Sequence, residues 1–227
     1  MQLVTIVCAT ALAGALAGAT LAFTVATPTQ DAQAGAQDAA ELMAAFERAA
    51  TPGPQHAELA KTAGTWTTRM KHYSAPDSPP MESVGTSTIE PIMDGRYMLE
   101  HFESDIPMMG AFRGMGVSGY DNVAQEYVAT WIDNMGTGIL ITRGQRDANG
   151  VLEMRGEYAD AMGQGQIPLR EVLREVSPDE KLFTMYETRD GTERMLFELV
   201  YTRAPSGGHG ADDGHGHRDG EGHGKPR

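Results

Sequence analysis

The feature that most constrains this chain is a two-residue alternation of apolar and polar side chains, which runs from residue 65 to residue 202. Such alternation is typical of β-strands, and Gly, Pro, Asp and Asn turn signals divide it into short segments. It predicts about ten strands, at residues 65–73, 82–91, 96–103, 112–120, 126–133, 138–145, 151–158, 166–176, 182–188 and 194–202. No helical run long enough to connect parallel strands interrupts them, so we predict an antiparallel sheet.

This many short strands joined by tight turns indicates either a sandwich or a closed barrel. The stretch 119–137 is representative of this strand–turn–strand pattern. Asp121 and Asn122 favour a tight turn before the strand at 126–133. A second turn at 134–137 then leads to the next strand, as in a β-meander. We favour an up-and-down barrel, because closure removes the exposed strand edges.

A helical lead-in precedes the strands. Residues 35–50 are predicted to form a short helix with Asp38 as its N-cap and with Leu42, Met43 and Phe46 at helical spacing. Pro52 and its neighbours end that helix, and residues 55–61 are predicted to add one or two further turns.

Residues 3–26 are apolar or small and carry no charge, and an Ala-x-Ala type site ends at Ala34. They indicate a secretory signal peptide cleaved near Ala34. A retained N-terminal membrane anchor stays open, since the run is long enough to span a bilayer and no Lys or Arg precedes it. Both interpretations place the domain outside the cytoplasm, in the periplasm or another extracytoplasmic space.

Charge and cysteine content narrow the function classes. A formal net charge of −13 disfavours nucleic acid and anionic membrane surfaces as partners. The one cysteine, Cys8, lies in the leader, which leaves the domain without disulfides or a cysteine-based metal site.

Several short motifs together resemble the DUF1579 family of bacterial proteins, which are often exported. They are Gly64-Thr65-Trp66, Asp94-Gly95-Arg96-Tyr97, Gly119-Tyr120-Asp121-Asn122, the segment 131–137 that begins Trp131-Ile132-Asp133, and Tyr201-Thr202-Arg203. The resemblance covers residues 54–203 and implies a calycin-like barrel, similar to lipocalins, with no assigned catalytic residue. The chain then divides into a leader (1–34), a helical linker (35–53), the barrel (54–203) and a tail (204–227).

A barrel of this size can hold one small ligand among apolar walls and a few polar groups. Aromatic and charged residues in the predicted strands could line that site: Trp66, Arg96, Tyr97, Tyr120, Trp131, Asp133 and Tyr158. Each of them could instead have a purely structural role. Trp66 and Trp131 would then fill the hydrophobic core, and Arg96 would form an ion pair with Asp133 near one rim of the barrel.

Two other features invite cofactor hypotheses. His101 lies inside a predicted strand and could be an axial haem ligand, but alternation puts it with Tyr97 and Glu103 on a face that disfavours haem ligation. The segment 105–119 holds Met108, Met109 and Met115 and is predicted to be a flexible apolar lid rather than a Cu(I) site, because no His or Cys accompanies them.

The tail after Arg203 is rich in Gly, His and Asp and lacks large apolar residues, which is typical of disorder. Its four histidines can chelate Zn, Ni or Cu: His209, His215, His217 and His223. No other cofactor is implied by the sequence.

Motifs of hydrolases, zinc proteases and nucleotide-binding loops are absent from the sequence. We therefore expect an exported, non-enzymatic barrel for a small apolar or amphipathic ligand. An enzyme that uses polar residues in the same cavity and a metal-handling protein that works through its tail stay as alternatives.

Overall fold

A computed structural model describes residues 30–75 and 78–205. It confirms the prediction of a closed antiparallel barrel of ten strands. The strands are β1 (Gly64–His72), β2 (Met81–Ile92), β3 (Tyr97–Ile106), β4 (Gly110–Asp121), β5 (Glu126–Asp133), β6 (Leu140–Arg146), β7 (Leu152–Ala159), β8 (Gln166–Ser177), β9 (Glu180–Arg189) and β10 (Thr192–Arg203).

Every strand pairs with its neighbours in sequence, and β1 closes the barrel by pairing with β10. Trp66 lies opposite Arg203 at one end of that closing ladder, and His72 lies opposite Phe197 at the other. The connections therefore alternate between two ends of the barrel. We call the end where β1 begins the α2 end, and the opposite one the far end.

Two helices precede the barrel, α1 (Gln30–Ala50) and α2 (Pro54–Ala60). Because α1 already begins at Gln30, the expectation that Asp38 caps it is wrong, and Asp38 lies inside the helix. Helix α2 packs beside β3 and β4, where the buried His56 ring meets Tyr120 edge-on at 6.1 Å between centroids.

Turn chemistry fixes the β4–β5 connection that the sequence singled out. An Asp121 carboxylate oxygen accepts from the backbone N–H groups of Val123 and Ala124, at 2.8 and 3.0 Å. The Asn122 amide donates to backbone carbonyls of Arg48, Ala49 and Thr51. This turn therefore joins residues 48–51 to the barrel by hydrogen bonds.

The predicted Met-rich lid is largely wrong. Strand β3 runs to Ile106 and β4 begins at Gly110, so only a short turn separates them. Met108 is 96% exposed in that turn, whereas Met115 lies within β4 opposite His101 and Ile132. Cross-strand pairing of the glycine-rich segment outweighs its flexibility.

The described residues include no helix that combines the length and the apolar character needed to cross a membrane. The N-terminal segment 1–29 and the tail 206–227 lie outside the described residues, so the leader and the tail histidines stay predictions.

We expect Gly144→Ala to destabilise the barrel by about 1–3 kcal/mol, as overpacking does elsewhere. A Cβ at this position would meet the Glu153 backbone oxygen at 1.9 Å and the Met154 Cα at 2.7 Å, atoms that cannot rotate away. Urea unfolding would measure the change. Gly138→Ala is the matched control, because nothing lies within 4 Å of its added Cβ, and equal effects would contradict the packing argument.

Candidate ligand site in the barrel interior

Trp66 forms the floor of the interior at the α2 end. Its side chain is 1% exposed, and the indole Nε1 donates to the Thr62 carbonyl oxygen at 3.0 Å. The Arg203 guanidinium carbon lies 4.1 Å from the indole centroid, a cation–π distance. Arg203 also donates to the carbonyls of Ala63 and Lys61, so strand β10 is joined to the start of β1.

Four ionisable side chains lie inside the barrel above this floor, and we call them the central cluster: Glu100, Glu171, Lys181 and Tyr201. Each occupies an inward position in its strand, next to apolar residues in the same phase. Glu100 accepts hydrogen bonds from Ser87 Oγ at 2.6 Å and from the Tyr201 hydroxyl at 3.2 Å. Burial, followed by the nearby Glu100 carboxylate, raises the pKa of Tyr201 well above its usual value.

Lys181 is the least compensated member of the cluster. It is 5% exposed, and its Nζ lies 4.2 Å from the Trp66 ring centroid and 4.6 Å from that of Tyr201. Among the described residues, Nζ donates no hydrogen bond, and no carboxylate oxygen lies within 4.0 Å of it. Burial lowers the pKa of Lys181 to about 8, although the charges of Glu100 and Glu175 oppose that change.

Glu171 is buried in the middle of β8. One carboxyl oxygen accepts from Thr142 Oγ1 at 2.9 Å. Burial raises the pKa of Glu171 to about 7, and the Thr142 hydrogen bond offsets only part of that rise. The interior therefore holds a carboxyl group that exchanges its proton near neutral pH.

This carboxyl predicts a pH-dependent stability. The folded chain keeps the Glu171 proton up to about pH 7, whereas an ordinary glutamate loses it near 4.5. The stability that Glu171 contributes is therefore fully present below the pKa of the unfolded state. It is lost as the pH rises through the pKa of the folded state. Between pH 5 and pH 8, the free energy of unfolding should fall by on the order of 2–3 kcal/mol less in Glu171→Gln than in the unchanged protein. Urea unfolding at the two pH values measures this difference. The exposed Glu157→Gln is the control, and an unchanged pH dependence in Glu171→Gln would refute the assignment.

A second polar group lies at the far end, and we call it the far-end cluster: His72, Tyr158, Asp160, Glu187, Arg189 and Arg194. Its centre is Glu187, which is 1% exposed. Glu187 accepts from Tyr158, from Arg189 Nε at 3.1 Å and from Arg194 Nε at 2.6 Å. Burial works to raise the pKa of Glu187, but these hydrogen bonds outweigh it and the pKa falls.

Burial and the charges of the far-end cluster also change the pKa values of Tyr158 and His72. Burial, with the hydrogen bond to Glu187 second, raises the pKa of Tyr158 to about 12. Burial also lowers the pKa of His72, whose Nδ1 has no hydrogen-bond partner among the described residues. Because carboxylates and guanidinium groups balance here, the far-end cluster stabilises the barrel wall.

Most of the sequence-predicted site residues face the interior, but they do not form one site. Trp66, Tyr120, Trp131, Asp133 and Tyr158 lie on inward positions of their strands. Their distribution is wide, since Trp66 and Tyr120 lie at the α2 end while Asp133 and Tyr158 lie at the far end.

The interior placement of Arg96 and Tyr97 is wrong. Arg96 lies in the β2–β3 turn and donates to the carbonyls of Ala50 and Met93. Tyr97 is 45% exposed and lies on the outer face over Gly119. Arg96 and Asp133 also lie at opposite ends of the barrel, so the expected pairing between them is absent.

Trp131 and Asp133 have structural partners. Trp131 Nε1 donates to Asp133 Oδ2 at 3.0 Å, and Asp133 Oδ1 accepts from the Met135 N–H at 2.9 Å. A Cβ on Gly114 would lie 2.1 Å from the Trp131 ring, so the indole lies flat over β4 at that glycine. His101 is exposed on the outer face, as its strand phase predicted.

The residues that sequence reasoning missed are Glu171, Lys181 and Glu187. Their signal is a charged residue in phase with apolar ones, as in Ile167, Leu169, Glu171 on β8. On β9, Lys181 and Glu187 share the inward face with Phe183 and Met185. The predicted strand began at residue 182, which excluded Lys181 from consideration.

The outer wall carries one further concavity. A depression of about 430 Å³ is lined by Val84, Thr86, Glu103 and Arg113, among others. These side chains point away from the interior, which separates the depression from the central cluster. Within residues 30–75 and 78–205, no group of three or more His, Cys, Asp or Glu side chains could hold a metal ion.

The sequence model of a family described as "Protein of unknown function (DUF1579)" matches residues 51–203. The chain belongs to the DUF1579 family. The match covers the barrel and confirms the family expected from the motifs. A comparison with curated proteins gave no match.

Solved structures of low identity resemble this DUF1579 chain. The M. tuberculosis protein Rv2717c has a TM-score of 0.48 at 12% identity, covering 68% of this chain and 99% of its own. A de novo designed fluorescence-activating beta barrel has a TM-score of 0.37 at 16% identity, over 63% and 94%. The structure of EF1p2_mFAP2b bound to DFHBI has a TM-score of 0.34 at 14% identity, over 66% and 98%.

Proposed function

We propose that this DUF1579 protein binds a small amphipathic ligand inside its barrel, with the polar head at the central cluster. The observation that carries the proposal is the buried Lys181 ammonium, which contacts the Trp66 and Tyr201 rings but donates no hydrogen bond to a described residue. Removing a charge from water costs several kcal/mol, roughly, when no hydrogen-bond acceptor replaces the water, and an apolar side chain at this position would avoid that cost. A ligand oxygen that accepts from Nζ would supply the missing partner.

The surroundings of Lys181 match such a head group. Trp66 and Tyr201 provide aromatic walls, while Glu100 offers a carboxylate beyond the 4.0 Å ion-pair limit. Farther along the interior, the walls are apolar, with Met98, Phe102 and Leu199 all buried. This combination of a few placed polar groups and apolar walls is typical of small-molecule sites.

The test uses 1-anilinonaphthalene-8-sulfonate, a fluorescent probe with an anionic head and an apolar body. We expect the purified protein to bind it, and Lys181→Met to weaken binding by about tenfold through loss of one charge-assisted hydrogen bond. Lys71→Met is the matched control, because Lys71 is exposed on the outward face of β1. Absence of probe binding, together with native mass spectra that show no retained organic ligand, would refute the proposal.

An enzyme acting at the same interior site is the second candidate. The observation that favours it is that Glu171, with a pKa of about 7, and Lys181, with a pKa of about 8, both exchange protons near neutral pH. Chemical turnover of a ligand found by native mass spectrometry would establish it, provided that Glu171→Gln abolishes the turnover and Glu157→Gln does not.

We further propose that the N-terminal segment exports the domain, as a cleaved signal peptide or a retained anchor, to an extracytoplasmic space such as the periplasm. Cell fractionation with N-terminal sequencing tests this. A mature chain that starts at Gly35 in the soluble periplasmic fraction supports cleavage, a full-length chain in the membrane fraction supports the anchor, and a cytoplasmic chain refutes export.

Metal binding by the tail is a separate proposal, supported by its histidine content. We expect isothermal titration with Zn to show binding by the full chain and none after deletion of residues 207–227. Equal binding by both forms would refute a role for His209, His215, His217 and His223.

A further inference from the structure

Lys181 differs chemically from the other two lysines in the described part of the chain. Its side chain is 5% exposed and lies against two aromatic rings, whereas the Lys61 side chain is 65% exposed and forms an ion pair with Glu58. Lys71 is exposed on the outside of β1. A lysine removed from water in this way reacts as an amine near neutral pH more readily than an exposed one.

The nitrogen of Lys181 is also free to react. Among the described residues, Nζ has neither a hydrogen-bond acceptor nor a carboxylate oxygen within 4.0 Å. Loss of its proton would therefore break no hydrogen bond or ion pair among the described residues and would end only the cation–π contacts with Trp66 and Tyr201. Burial, which lowers the pKa of Lys181 to about 8, leaves a substantial fraction of the neutral amine at pH 7.5.

Groups able to relay a proton surround this amine. Glu100 exerts the strongest charge effect on Lys181 and is itself hydrogen-bonded to Ser87 and Tyr201. Glu175 and Arg203 are the other charges that act on Lys181, and Glu171 lies deeper, near Tyr201. A carboxyl group near an amine can serve as the general acid and base of a carbonyl condensation.

We propose that Lys181 forms an imine with the carbonyl carbon of an apolar aldehyde bound inside the barrel. The inference rests on the proposed ligand-binding function and names its ligand class. The chain of the aldehyde would lie along the apolar walls beyond the central cluster, with the carbonyl carbon at Nζ, beside the Trp66 and Tyr201 rings. A neutral carbonyl group enters such an interior at lower desolvation cost than an ionised head group.

The chemistry is a balanced condensation. The lone pair of Nζ attacks the carbonyl carbon, a C–N bond forms, and the oxygen takes up the proton that nitrogen releases, which gives a carbinolamine. The oxygen then leaves as water after it receives a second proton through Glu100, while nitrogen loses its remaining proton and the C=N bond forms. Aldehyde and amine become imine and water, with no change of oxidation state.

The test is reductive trapping of the full chain with decanal and sodium cyanoborohydride at pH 7.5, followed by peptide mapping. We expect one decyl group on Lys181, added at least about tenfold faster than on Lys61, Lys71 or Lys225. Lys181→Arg keeps the positive charge without a primary amine, and we expect it to lose the selective adduct. Labelling of Lys61 and Lys71 as fast as Lys181 would overturn the inference.

A parallel measurement separates this inference from the proposed function. Decanol has the same chain but cannot form an imine, so displacement of the fluorescent probe by decanol reports reversible binding alone. If decanol displaces the probe and Lys181 is not selectively trapped, the imine is refuted and the ligand-binding barrel stands. If the probe does not bind, native mass spectra show no retained organic ligand and no adduct forms on Lys181, both proposals are refuted.

Discussion

Replacing Trp66 with alanine is expected to lower the free energy of unfolding by about 3–5 kcal/mol. The indole is 1% exposed, and its loss would leave a cavity at the α2 end. It would also remove the aromatic face beneath Lys181 and Arg203, and it would leave the Thr62 carbonyl without its donor. Packing, cation–π contact and hydrogen bonding thus fail together.

Urea unfolding followed by far-ultraviolet circular dichroism measures this change. Trp66→Phe is the conservative comparison and should cost less, because it keeps an aromatic face and loses mainly the Nε1 donor. Met93→Ala, at a 68% exposed position, reports the background effect of truncation. A loss from Trp66→Ala as small as that of Met93→Ala would show that the floor does not stabilise the barrel.

Replacing Glu187 with alanine is expected to cost about 3 kcal/mol, near the lower limit for breaking a buried ion pair. The Glu187 side chain is 1% exposed, while Arg189 and Arg194 are 39% and 32% exposed. In the Glu187→Ala variant, water can therefore hydrate the guanidinium groups of Arg189 and Arg194, which limits the loss of unfolding free energy. The Tyr158 hydroxyl, which donates to Glu187, would also lose its acceptor.

Glu193→Ala is the matched control for this change. Glu193 pairs with Arg170 on the surface, where it is 41% exposed, and such pairs contribute about 0–1 kcal/mol. A double-mutant cycle between Glu187→Ala and Arg194→Ala would isolate their coupling by thermal and urea unfolding. A coupling energy near zero would mean that Glu187 acts through packing rather than through its charge.

The strand architecture could be predicted because its determinants are local. Alternation in segments such as 151–158 and turn chemistry such as that of Asp121 depend on residues close in sequence. Closure of the sheet into a barrel could also be inferred. A sheet of this many strands, with no helices to cover its edges, is expected to pair its two edge strands. The strand predicted at 126–133 coincides with β5 (Glu126–Asp133).

The composition of the interior site could not be predicted in the same way. Residue type suggested Arg96 and Tyr97, but their strand phase and the β2–β3 turn place them outside. Lys181 was missed because a charged residue at a strand end is usually solvent-exposed, and its burial depends on packing against Trp66 and Tyr201 from distant strands. Contacts of that kind depend on the register of the whole barrel, which a local pattern does not specify.

The closing ladder has a consequence for the chain ends. Because Trp66 lies opposite Arg203 and the Ala204 N–H donates to the Thr65 carbonyl at 2.8 Å, the barrel enters and leaves at neighbouring points. A circular permutant that keeps helix α2 could join residue 205 to residue 53 through a flexible glycine linker and open a new terminus in the exposed turn at Gly136. Such a rearranged chain should fold to the same barrel, which makes this scaffold suitable for insertion into another protein.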